Sequence, residues 1–304
     1  MSASAWPDLP DWSDTRTTLH LWTQIVGKIR LAQTPWTNHS WHVPLYVTPR
    51  GLTTSPMPHG ARLFEIAFDF VEHQLVIDTD TERRTLPLRA QSVAAFHDEL
   101  MERLRQLALA VEIHGSPNEV EDPIPFAEDT VHASYDAEAV ERFGAALRQS
   151  HRVFTAFRAQ FTGKTSPVHF FWGSFDLCVT RFSGREAPDH PGGIPNLPDW
   201  ITREAYSEEV SSVGFWPGDA ATGPLFYSYA YPGPEGFAAA PVQPEAASFY
   251  EPLGEFVLPY EVVAEQGDKP LIAFAESTYE AAARLGDWDE LVTPAPPEAR
   301  PRPF

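Results

Sequence analysis

In the string "LFEIAFDF", residues 63–70, Phe64, Ile66, Phe68 and Phe70 fill every second place, with Glu65, Ala67 and Asp69 between them. Side chains alternate across a strand, so this string has one dry face and one wetter face. Such a strand belongs in a sheet whose covered side must be supplied by something else. "WHVPLYVT" repeats the pattern, with Trp41, Val43, Leu45 and Val47 on one side and His42, Pro44, Tyr46 and Thr48 on the other. "VEHQLVID" follows "LFEIAFDF" closely enough to be its hairpin partner, turning near Glu72, His73 and Gln74, and "LFYSYAYP" sets Leu225, Tyr227, Tyr229 and Tyr231 on one side. "EFVLPYEVV" reads as a further short strand.

The covering elements are legible as well. Leu19, Trp22, Val26 and Ile29 recur at helical spacing, with Asp14 placed to cap. Val93, Phe96, Leu100, Leu104 and Leu107 form a second stripe, and Val140, Phe143, Leu147, Phe154, Phe157 and Phe161 a third that opens at Asp136 and stops at Gly163. A fourth runs from Pro270 to Leu285 and ends at Gly286. One-sided strands with amphipathic helices predict an α+β fold, a mixed and largely antiparallel sheet with helices packed on it. We expect one compact domain over residues 1–292. Each half carries a helix, then a strand holding "LYVT" or "LCVT" followed closely by Arg and Gly, so residues 13–116 and 134–290 are candidate pseudo-repeats. The segment 293–304, in the Pro-rich end "TPAPPEARPRPF", is expected to be disordered.

Composition removes whole classes of function. The 304 residues are 43% hydrophobic, enough for a sizeable core, and carry a net charge of −20. An acidic surface repels phosphate backbones and anionic lipid, so neither nucleic acid nor membrane is an expected partner. The lone Cys178 rules out an internal disulfide and a cysteine zinc site, and reads as a small core residue. "MSASAWPDLPDW" has no basic n-region and no apolar h-region, so a cytoplasmic protein is expected.

Common catalytic motifs fail on inspection. "GKT" at Gly163–Thr165 ends a P-loop pattern whose first glycine is replaced by Arg158, and no G-x-G-x-x-G opens a helix, so no nucleotide cofactor is expected. G-x-S-x-G and H-E-x-x-H are absent. Glu65 and Asp69 share a strand face but stand roughly 13 Å apart at strand rise, too far to work as a dyad. "NHSWH" sets His39 and His42 three apart, a weak metal signal with no further ligand spacing elsewhere, so no metal is expected. His73 reads as a turn residue.

The densest chemistry lies in "SPVHFFWGSFDLCVTRFSGR", residues 166–185. "VHFFW" and "FDLCVTRF" are strand-like pieces broken at Gly173 and Ser174, where a bulge or tight bend fits. The break frees His169, Trp172 and Asp176 to converge, while Phe175, Leu177 and Val179 alternate with Asp176, Cys178 and Thr180. His42 or His169 is the expected proton-transfer group, and Asp176 its orienting or basic partner. Arg181 and Arg185 are expected to grip an anion, or else to be paired internally with Asp176, Glu186 or Asp189. Tyr46, Arg50, Trp172, Trp216 and Tyr227 complete the candidate binding set, since aromatics with polar tips suit a small-molecule pocket.

The strings "PWTNHSWHVPLYVTPRGLTTSP", "FEIAFDF", "SPVHFFWGSFDL", "TRFSGR", "YSEEVSSVGFWPG" and "FYSYAYP" resemble a bacterial family of unknown function over roughly residues 6–290. The resemblance implies a full-length domain of bacterial origin and no mechanism. The expectation is an enzyme acting on a small polar or anionic metabolite by His/Asp acid–base chemistry. A non-catalytic small-molecule binder or sensor using the same pocket is one alternative, and a partner-binding protein without a pocket another.

Overall fold

The computed structural model describes residues 6–288, so the expected disordered segment 293–304 lies outside the described residues. The chain opens with helix α1 (Ser13–Gln33), followed by strands β1 (Tyr46–Val47), β2 (Gly51–Thr53), β3 (Met57–His59), β4 (Arg62–Asp69), β5 (Gln74–Thr79) and β6 (Arg83–Pro87), then helix α2 (Val93–Gln106). Helix α3 (Ala137–Ala159) leads into β7 (His169–Phe171) and β8 (Asp176–Glu186), the short helix α4 (Asp199–Ala205), β9 (Glu208–Trp216), β10 (Leu225–Tyr231), β11 (Ser248–Tyr250) and β12 (Glu255–Pro259). Helices α5 (Tyr260–Gln266) and α6 (Asp268–Leu285) close the described chain.

The strands form two six-stranded sheets, and every pairing is antiparallel. The first runs β1-β2-β4-β5-β6 with β3 beside β4, and the second runs β11-β12-β10-β9-β8-β7. Leu45 and Phe170 exchange both backbone hydrogen bonds at 2.9 Å, so the β1 edge of one sheet meets the β7 edge of the other and the two cover each other's unpaired groups. Each sheet follows a long helix and precedes another. The "LYVT" and "LCVT" strings hold different places, because β1 is an edge strand whereas β8 lies one strand in.

Helix α1 is the central strut. All ten residues from Leu21 to Arg30 are buried, so its polar members must find partners inside. Gln24 donates to the carbonyl of Asn118 at 2.9 Å, Lys28 donates to the Asn118 side chain, and Arg30 to the carbonyl of Thr54. The two bonds to Asn118 pin the irregular segment between α2 and α3 across the helix, and the bond to Thr54 ties the first sheet to it. Ser92 and Asp136 cap α2 and α3, each side chain accepting from the backbone N–H three residues on.

Two local expectations are corrected. The strand expected over 41–48 is reduced to Tyr46–Val47, because residues 38–40 form a single 3-10 turn with His39 and Ser40 at positive φ of 55° and 58°, and Pro44 offers no N–H to a ladder. "EFVLPYEVV" is a strand only to Pro259, where α5 begins. Of the bulge or tight bend expected at Gly173 and Ser174, the structure has the bend, a hairpin turn with the Phe175 N–H returning to the carbonyl of Phe171 at 2.8 Å.

Sheet two places the functional surface. Helices α3 and α6 pack on one face of it, and Leu177, Val179, Val213, Phe215, Phe226 and Leu258 are buried on that side. The alternate residues of the same strands face the other way, under a cover of loops.

Candidate functional site

A half-enclosed cavity of about 810 Å³ lies on that second face. Its floor is read off the strands by parity: Asp176, Cys178, Thr180 and Phe182 from β8, Val210, Ser212 and Trp216 from β9, Leu225, Tyr227 and Tyr229 from β10, Glu255 and Val257 from β12. Register aligns Cys178, Gly214, Tyr227 and Val257 in one row across four strands. The cover comes from Trp36 to Val43, from Asn118 and Glu119 between α2 and α3, from Ile194 and Leu197, from α4 and from Tyr250 to Leu253.

The row explains a glycine. A Cβ at position 214 would collide with Cζ and the hydroxyl of Tyr227. Without it the ring lies across β9, and the hydroxyl donates to Oδ2 of Asp176, two strands away. Ser174, in the hairpin turn, donates to Oδ1 of the same carboxylate. Gly173 does the same service for Glu119, whose Oε1 occupies the place a Cβ would take. Tyr229, next along β10, shares its hydroxyl with Tyr206 at 2.8 Å.

The electrostatics are one-sided. Asp176, Glu119 and Glu255 all line the cavity, and none of the described residues lining it is Lys or Arg. Burial raises the carboxyl of Asp176 above its ordinary range against the opposing help of Ser174 and Tyr227. Burial first, and repulsion by Asp176 second, push Glu119 to about 7 and Glu255 to about 7. Burial likewise raises the Cys178 thiol and the Tyr227 and Tyr229 hydroxyls, so these stay neutral. The Cys178 thiol is thus kept from being a ready nucleophile.

His39 also lines the cavity. Its Nδ1 donates to the carbonyl of Ala205 at 3.2 Å, which leaves Nε2 to accept from Lys164 at 2.7 Å. Lys164 also donates to Glu208. The left-handed backbone at His39 is held by this network, together with a bond from its N–H to Glu204 at 3.1 Å.

Of the residues expected from sequence, Asp176, Trp172, Trp216 and Tyr227 line the cavity together. His42, His169 and Tyr46 stand behind its wall. His42 accepts from the N–H of Thr37 at 3.3 Å and packs its ring 4.6 Å from that of Trp36. His169 is 1% exposed, enclosed by Trp41, Tyr46 and Phe171, and neither ring nitrogen has a partner among the described residues. Burial, then Arg30 and Arg158, lower it to about 3, so it is neutral. Neither histidine opens into the cavity or touches Asp176 by a hydrogen bond.

The three arginines lie elsewhere. Arg181 points to the helix face, bonded to both oxygens of Glu276 on α6 at 3.2 and 3.3 Å and to the carbonyl of Phe157 on α3. Its guanidinium sits 3.4 Å from the ring centre of Phe157 and 4.3 Å from that of Tyr279. Arg185 binds Glu209 at 2.7 Å and the carbonyls of Gly286 and Asp287, tying down the end of α6. Arg50 is at the surface with Asp69 at 2.6 Å and Glu72 at 3.4 Å. The expected anion grip is therefore replaced by internal ion pairs, with partners other than those the sequence suggested.

The model of a family of unknown function, DUF5996, matches residues 6–293. The chain belongs to that family. No curated protein and no solved structure matches this DUF5996 chain. The matched span takes in both sheets and every residue of the cavity. No helix among the described residues is long and apolar enough to cross a membrane, and those residues hold no cluster of three or more side chains suited to a metal.

Glu119 and Glu255 are the members of the DUF5996 site that sequence reasoning missed. Glu255 had a signal, since it alternates with Phe256 and Leu258 on a strand and shares the face of Val257. Glu119 had none, lying in an aperiodic stretch that is held at the site by Gln24 and Lys28 on one side and by Pro195 and Asn196 on the other.

Proposed function

We propose that this protein binds a small molecule in the cavity on sheet two, through aromatic walls and a carboxyl-bearing floor. The observation that carries the reading is the cavity itself, where the uncompensated Asp176, Glu119 and Glu255 sit among Trp172, Trp216, Tyr227 and Tyr229. Its volume is in the range of ligand sites, and mostly apolar walls with a few convergent polar groups are how such sites hold ligands. Because no Lys or Arg lines it, the proposed ligand is neutral or cationic rather than anionic.

A catalytic reading is favoured by one further observation. A carboxyl held at about 7, as Glu119 is, both holds and releases a proton at neutral pH. Glu119 or Glu255 would then be the acid or base, with Asp176 and Tyr227 orienting substrate. The proposal includes a bacterial, cytoplasmic setting, supported by the family resemblance, the single free cysteine and the charge of −20.

The test is ligand-detected thermal shift over a metabolite library, run on the parent chain and on Gly214→Val, which displaces Tyr227. Hits that stabilise the parent and not the variant support the reading. Hits that stabilise both equally, or none at all, contradict it. Product analysis on the hits then separates enzyme from binder.

A further inference from the structure

We propose that the cavity's ligand is an organic cation, a protonated amine carried on an apolar body. This rests on the reading of the cavity as a ligand site and names the charge it selects.

Three observations converge. Among the described residues the lining holds three carboxyls and no Lys or Arg, so none of these residues neutralises them. Asp176 is satisfied by Ser174 and Tyr227, but the carboxyls of Glu119 and Glu255 have no hydrogen-bond partner among the described residues. Both residues are half-buried, and a carboxylate drawn partly out of water without a partner is a group that a ligand can complete. The remaining wall is aromatic, and an ammonium is attracted to the face of an indole or phenol ring. Two of these rings already attract cations of the protein. Lys28 stands 5.7 Å from the ring of Trp172 and Arg16 5.5 Å from that of Trp216, and neither lines the cavity.

Charge also explains what is refused. A carboxylate ligand would add a fourth negative group beside Asp176 and find no donor fork. A neutral alcohol would fit the walls but leave the two free carboxyls uncompensated. A half-enclosed cavity of about 810 Å³ with aromatic rings in its wall leaves room for a bicyclic amine rather than a bare inorganic ion.

Ionisation follows from the same geometry. The groups facing Glu119 and Glu255 are Asp176, the neutral thiol of Cys178, the neutral hydroxyls of Tyr206, Tyr227 and Tyr229, and the His39–Lys164–Glu208 network at the wall. Both glutamates sit at about 7, so an ammonium must drive out the protons they carry below that pH. Affinity should rise about tenfold for each engaged carboxyl between pH 6 and pH 8, as the ionised fraction of a group of pKa 7 does.

The experiment uses tryptamine, tryptophol and indole-3-acetate, which share a ring system and differ in charge. Binding is measured by calorimetry on the full chain at pH 6 and pH 8, and on Glu119→Gln, Glu255→Gln and the double variant. The expected result is tryptamine binding at least tenfold tighter than tryptophol, no detectable indole-3-acetate, and the preference growing at pH 8. The double variant should bind tryptamine and tryptophol alike, with tryptophol affinity and thermal unfolding showing that it folds. Tryptophol or indole-3-acetate binding as tightly as tryptamine would overturn the charge assignment and leave the cavity reading standing. Binding of none of the three at millimolar concentration would count against both.

Discussion

Arg181 and Asp176 stand on one strand and hold buried charge in opposite ways. Arg181 faces the helices, where Glu276, a carbonyl and two rings meet its guanidinium, with only Nε left unbonded among the described residues. Asp176 faces the cavity, where two hydroxyls are its partners and its own charge helps to raise the carboxyls of Glu119 and Glu255. One face of β8 is finished, in that its charge is answered from within the chain. The other face is left open, and the charge there lacks an answering group. Buried charge that a fold merely tolerates is normally paired, so the contrast marks the second face as the one that meets something from outside.

The largest break in this comparison should come from the finished face. Arg181→Ala removes a buried pair and leaves the Phe157 carbonyl and part of Glu276 unanswered, a loss of about 3 kcal/mol by chemical denaturation. Tryptamine binding per folded molecule should not change, because Arg181 does not reach the cavity. Binding that fell while stability held would place Arg181 back among the site residues.

Gly214→Val should do less to the fold and more to the site. The new side chain has to push the Tyr227 ring off the sheet, an overpacking cost of about 1–3 kcal/mol. With the ring gone, Asp176 loses one of its two hydroxyl donors, and ligand affinity should drop. An unchanged melting temperature would mean that the ring does not lie over Gly214.

The smallest effect has the opposite sign. Glu119 keeps, up to about pH 7, a proton that the unfolded chain has released above about 4.5. Stability therefore falls as pH rises through that window, and Glu119→Gln removes the fall. The variant should be more stable than the parent by on the order of 1 kcal/mol at pH 8, after discounting for the partial exposure of the cavity wall, with the gain fading towards pH 4.5. Unfolding curves at three pH values read this directly, and a variant less stable than the parent at pH 8 would contradict it.

How much of this could be read beforehand follows from parity and from range. The alternation in "FDLCVTRF" places Asp176, Cys178 and Thr180 on one face and, by the same count, Arg181 on the other. Grouping Arg181 with Asp176 therefore ignored a rule that the string itself supplied. Tyr227 and Tyr229 were legible for the same reason, as one side of a regular strand, while Trp216 was picked only as an aromatic, its strand having gone unread. The antiparallel sheets and the long helices were legible from periodicity. His42 was misplaced because a left-handed pair at His39 and Ser40 turns the segment before any strand begins, and outside glycine that conformation has only a weak local signal. The cover of the cavity was not legible at all. Glu119 reaches it through bonds to α1 that span 90 residues or more, and such contacts leave no local pattern.

The account stands most directly on the state of two carboxyls. Carbon-13 NMR of the chain labelled at the glutamate side-chain carboxyl, with Glu119→Gln and Glu255→Gln used for assignment, follows each group through a pH titration. The account predicts two resonances that titrate near 7 in the free protein, both moving to lower pH when tryptamine is added. Glu119 and Glu255 titrating with the other glutamates, in the ordinary carboxylate range and unmoved by the amine, would contradict it.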